Sequence, residues 1–128
     1  MSFTVAAEQL SDEALITILH AALAEARRIG VPQCIVVVDA SAVDHMTFRM
    51  TDAKVLSMRS ARAKAQTAAS TGRPSAALPE AVRYAVAAAT DGAMTGLPGG
   101  LPIRLNGRLV GGIGVCSGTG EQDVAVAT

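Results

Sequence analysis

Tryptophan is absent from this chain, and aromatic residues of any kind make up 2% of it: Phe3, Phe48 and Tyr84. A core without them rests on alanine and valine, each of which buries little apolar area. This shortage predicts close approach of helix to sheet and further burial through self-association, so a homo-oligomer is expected. A net charge is missing as well: 11 basic and 11 acidic residues cancel. No global field therefore draws nucleic acid or an anionic membrane, and neither is expected as a partner. No apolar run approaches the roughly 20 residues needed to cross a bilayer, and no basic-then-apolar leader opens the sequence, so the expected location is cytoplasmic. Cysteine is scarce. Cys34 and Cys116 lie in apolar runs without metal-type spacing and read as buried thiols in a reducing compartment. The two histidines show no local ligand pattern either, so no metal site is expected.

What is present suits one domain over residues 1–128. Leu15, Ile18, Leu19, Ala22, Leu23, Ala26 and Ile29 recur at helical spacing and predict a helix over 11–29. Ser11 is its cap, Asp12 and Glu13 suit its first turn, and Gly30 with Pro32 ends it. Cys34 to Val38 is an unbroken β-branched run, as in a central strand buried on both faces. From Asp44 to Met50 the pattern alternates, with Met46, Phe48 and Met50 on one face and His45, Thr47 and Arg49 on the other. A second helix is expected over 54–71, with Met58, Ala61, Ala65 and Ala68 as a small-residue seam and Arg59, Arg62 and Gln66 as a solvated face. A third helix runs from about Pro79 to Ala89. Asn106-Gly107 between apolar runs predicts a tight hairpin turn, and Thr119 with Gln122 has the spacing of a helix start. The order α-β-β-α-α-β-β-α predicts an α+β, two-layer fold with a mainly antiparallel sheet.

Several of these residues recur together elsewhere. Val36-Val37-Val38-Asp39, Arg49-Met50, Ala63-Lys64-Ala65 with Thr67-Ala68-Ala69, and Gly72-Arg73-Pro74-Ser75 are followed by Gly99-Gly100-Leu101-Pro102-Ile103. Asn106-Gly107, Gly111 to Val115, and Glu121-Gln122-Asp123 complete the series. In this order and spacing, from about residue 10 onward, the chain resembles the GlcG/HbpS-like family, also described as the haem-degrading or PduO C-terminal-type domain. The resemblance implies an α+β domain forming dimers or larger homo-oligomers. It implies binding of haem or another tetrapyrrole, links to corrinoid-related modules, or roles in small-molecule catabolism. It also makes Lys64 a candidate site residue. The chain departs from the family pattern at Ser41-Ala42, which replaces a Gly-Gly turn, and at Val43, which replaces a histidine. Asp44 and His45 stand at usually apolar positions, Thr51-Asp52 replaces Asp-Gly, and Cys116 replaces a serine.

His45, Thr47 and Arg49 place an imidazole, a hydroxyl and a guanidinium in a row, a set able to grip a carboxylate or an enolate. An ideal strand points Asp44 to the opposite face, so a bulge is needed before it can act beside His45. The first functional reading is a small-molecule-binding protein whose ligand is haem or another tetrapyrrole, with His45, Met46, Met50 and Lys64 lining the pocket. The second is a cofactor-free acid–base enzyme (an isomerase, tautomerase, hydratase or lyase) acting on a small polar or anionic substrate. In that reading His45 is the proton carrier, with Asp44 and Arg49 beside it. Backbone N–H groups at Gly118, Thr119 and Gly120 would hold developing negative charge. A third reading is an assembly module without a ligand.

Overall fold

The computed structural model describes residues 2–118. Helix α1 spans Asp12–Ile29, and the Ser11 side chain accepts the Ala14 N–H at 3.2 Å to cap it. Gly30, at φ 72°, closes its other end. Strands β1 (Cys34–Asp39) and β2 (Asp44–Arg49) follow as a hairpin, then helix α2 (Ser57–Thr71). The expected third helix divides into a 3-10 turn at Glu80–Val82 and the short α3 (Arg83–Ala89). Strands β3 (Gly100–Leu105) and β4 (Arg108–Cys116) meet at Asn106 and Gly107, whose φ values of 53° and 77° are those the two-residue turn demands. Among the described residues all pairings are antiparallel and the sheet order is β2-β1-β4-β3. The α+β class and the element order through β4 agree with the sequence expectation. The helix expected after Thr119 lies outside the described residues.

The helices divide between the two faces of the sheet. Leu15, Ala22, Leu23 and Ala26 of α1 bury against Ile35, Val37, Ile113 and Val115. Ala61, Ala65 and Ala69 of α2 bury against Cys34, Val36 and Val38. The alternation of β1 supplies both contacts, so a helix layer flanks each side of the sheet, one layer more than the sequence pattern placed. α2 sits unusually close. Gly112 and Gly114 of β4 face the Ala65 and Ala61 carbonyls so tightly that a Cβ at either position would strike helix backbone. Alanines on the helix and glycines on the strand together bring the axis down onto the sheet, the close approach expected of a core without aromatics.

Candidate functional site

The site begins at the β1–β2 turn. Asp39 Oδ1 accepts the N–H groups of Ser41 at 2.8 Å and Val43 at 3.1 Å. Ala42 takes the left-handed conformation, φ 64°, and its carbonyl accepts Gln66 Nε2 of α2 at 3.1 Å. Directly after this turn the register slips between Val37 and Val38. Asp44 pairs with Val38, Met46 pairs with Val37, and His45 is the additional residue between them.

The bulge delivers Asp44 to the face that α2 covers. There Arg62 Nε donates to Asp44 Oδ1 at 2.9 Å and to Oδ2 at 3.1 Å. The side chains are 34% and 44% exposed, so the pair stabilises the fold by no more than about 1 kcal/mol. Its effect is to fix where the guanidinium stands. His45 is half-buried, and its Nδ1 is buried with no hydrogen-bond partner among the described residues. A buried ring nitrogen left without a partner costs about 1–3 kcal/mol.

Beyond Arg62, the outward side of α2 walls a cleft of about 400 Å³. Arg59, Arg62 and Gln66 line the helix side, and Asp91, Gly92 and Ala93 line the other. A second hollow of about 280 Å³ shares Arg59 and Gly92 and extends to Met94 and Leu97. Polar ties hold the far wall in place. Thr67 Oγ1 accepts the Thr95 N–H at 2.9 Å. Ser75 Oγ donates to the Leu97 carbonyl at 2.6 Å and accepts the Gly100 N–H at 2.9 Å. Two guanidinium groups at the edge of a concavity suit an anionic ligand, held through their planar forks.

The remaining residues singled out from the sequence stand elsewhere. Thr47 and Arg49 pair with Val36 and Cys34, so they share the α2-side face, and both are exposed. Neither lines the two clefts. Met46 and Met50 pack against the α1-side core, and Met50 Sδ accepts the Gln33 N–H at 3.4 Å. Lys64 is 2% exposed and turns inward, its Nζ donating to the Val115 carbonyl at 2.8 Å. His45, Met46, Met50 and Lys64 thus do not converge on one pocket. Gly118 is half-buried just beyond the end of β4, while Thr119 and Gly120 lie outside the described residues. Arg59, Arg62 and Gln66, read from sequence as a solvated helix face, are the side chains that the fold gathers. Their three- and four-residue spacing is the signal for one ridge beside the alanine seam.

A family model described as "Haem degrading protein HbpS-like" matches residues 10–128. The chain belongs to the HbpS-like family. Among solved structures, HbpS has a TM-score of 0.86 at 29% identity, covering 98% of this chain and 89% of that one. A structure described as a PduOC:heme complex has a TM-score of 0.87 at 30% identity, over 94% of this chain and 91% of the other. The Klebsiella pneumoniae protein ORFY has a TM-score of 0.92 at 26% identity, over 99% and 91%. The corrinoid adenosyltransferase PduO of Citrobacter freundii is 34% identical over 126 residues. That alignment takes in 94% of this chain but 38% of PduO, so this HbpS-like chain spans well under half of that relative.

Proposed function

We propose that this chain binds a carboxylate-bearing tetrapyrrole, haem foremost, at the junction of the β2 bulge and the α2 cleft. The observation that carries this reading is His45: a half-buried imidazole with an unpartnered Nδ1, one residue along the strand from the Asp44–Arg62 pair. Family membership and the likeness to a heme complex support the ligand class. Haem, when bound, would supply an iron centre for which an imidazole is a suitable ligand. His45 would offer that imidazole, from the position the bulge gives it on the edge strand. Arg59 and Arg62 would pair with the propionate carboxylates. Asp44 holds Arg62 in position and limits the net positive charge of the cleft.

The concavity is open, so one chain covers only part of a large planar ligand. Val43, Phe48, Val55 and Leu56 are exposed apolar residues on β2 and the segments flanking it. Their burial by a second copy would enclose the ligand and supply the area that a small-residue core lacks, making a homo-oligomer part of this reading.

The cleft also supports a second reading, a cofactor-free acid–base enzyme for a small anionic substrate. Arg59, Arg62 and Asp91 in about 400 Å³ favour it. Both oxygens of Asp44 are held by Arg62, which leaves His45 as the proton carrier in that scheme.

Equilibrium titration with haemin separates the two. Tetrapyrrole binding predicts a shifted Soret band saturating at one haemin per chain, weakened at least tenfold in an Arg59→Ala, Arg62→Ala double variant. An unshifted spectrum, with small carboxylates protecting the protein against heat, would replace the first reading with the second.

A further inference from the structure

Cys34 and Cys116 lie far apart in the sequence, yet they are direct cross-strand partners at one end of the β1–β4 ladder. Directly opposed residues of an antiparallel pair have Cα atoms about 4.5–5.5 Å apart, and their side chains share a face. That separation falls within the roughly 4.4–6.8 Å spanned by disulfides. Both cysteines are thiols in this structure. We infer that Cys34 and Cys116 form a reversible dithiol–disulfide site, oxidised by hydroperoxides within a single chain.

The surroundings give the two sulfurs different parts. Cys34 is fully buried and its Sγ donates to the Lys54 carbonyl at 3.6 Å. Burial pushes its thiol pKa up and the neighbouring Cys116 adds to that, whereas the Ser117 hydroxyl and Arg49 pull it down. Cys116 is partly exposed, at the open end of the ladder. Cys116 is therefore the sulfur a peroxide meets first. Its thiolate attacks the peroxide oxygen, the O–O bond breaks, and an alcohol or water leaves, giving a sulfenic acid. The Cys34 thiolate then attacks the Cys116 sulfur and expels hydroxide, which takes up the released proton as water. Two thiols and one hydroperoxide give one disulfide, one alcohol and one water.

Oxidation also removes a donor. The Cys34 sulfur in a disulfide carries no proton for the Lys54 carbonyl, although Lys54 N–H still donates to Ser117 Oγ at 3.0 Å. The segment leading into α2 thus loses its Lys54 tie to the start of β1. A reversible site of this kind suits a redox sensor better than a structural staple.

The test uses the folded 128-residue chain, treated with hydrogen peroxide, then alkylated under denaturing conditions and read by intact mass and peptide mapping. The expected product has lost two hydrogens, carries no alkyl group, joins the Cys34 and Cys116 peptides within one chain, and reverts with dithiothreitol. Cys34→Ser should leave a Cys116 sulfenic acid trappable by dimedone, and Cys116→Ser should protect Cys34. Alkylation of both cysteines after peroxide, or cross-links only between chains, would overturn the inference. Equal oxidation of Cys34 in Cys116→Ser would overturn the order of attack. If either serine variant misfolds by circular dichroism, the wild-type peptide map decides alone.

Discussion

Gly114 of β4 lies directly beneath the Ala61 carbonyl of α2, with no room for a methyl group between them. The position of α2, and of every side chain it presents to the cleft, depends on that contact. Gly114→Ala should cost about 3 kcal/mol or more, at or above the upper end of ordinary overpacking, because backbone rather than a flexible side chain must move. Urea denaturation monitored by circular dichroism measures it. A change below about 0.5 kcal/mol would show that the helix can ride higher on the sheet.

Asp44→Asn separates the positioning role of this residue from any role as a base. The ion pair is partly exposed, so stability should fall by no more than about 1 kcal/mol. Removing a carboxylate from beside Arg62 should strengthen binding of anionic ligands severalfold at low salt, and the gain should shrink as salt rises. Isothermal titration at two ionic strengths reads both effects. Weaker anion binding at every salt concentration would mean that guanidinium position matters more than the charge removed.

The buried Cys34 thiol predicts a defined pH dependence. Burial raises its pKa in the folded chain, with Cys116 acting in the same direction and Ser117 and Arg49 opposing it. The unfolded chain therefore loses this proton first as pH rises. The stabilisation is complete below the ordinary thiol pKa of about 8.5 and is lost progressively as pH climbs from there through the folded value. Urea midpoints between pH 7 and pH 10 should decline more steeply for the wild type than for Cys34→Ala. Parallel declines would assign the alkaline loss to other groups.

Much of the scaffold was legible in the sequence because it follows from local periodicity. The apolar stripe of α1 with its Ser11 and Gly30 caps, the continuous run of β1, the alanine seam of α2 and the Asn106-Gly107 turn are each decided within a few residues. The site was less legible, since it is made by pairings between distant segments. The alternation over Asp44 to Met50 cannot reveal a slip opposite Val38, because the partner strand and the Asp39-held turn set that slip. An Arg59-Arg62-Gln66 ridge reads the same whether it faces open water or a cleft walled by Asp91 and Gly92. Lys64 within an alanine-rich helix gives no sign that its ammonium ends on the Val115 carbonyl. The opposition of Cys34 and Cys116 belongs to the β1–β4 register alone.

The β1–β2 turn and the residues after it gain a physical reading. Ala42 keeps a left-handed backbone that glycine adopts more cheaply. Its carbonyl still receives Gln66, so the turn holds its shape against that cost. Asp44 and His45 are the residues that the bulge presents.

The most direct measurement is the absorption spectrum of ferric haemin with the wild type and with His45→Ala, at equal protein and haemin concentrations. If His45 is the axial ligand, the wild type gives a sharp, red-shifted Soret band, and the variant gives a broad band near that of free haemin. Added imidazole should restore the wild-type spectrum to the variant. Identical spectra for the two proteins would contradict an axial role for His45 and, with it, the placement of the tetrapyrrole at the β2 bulge.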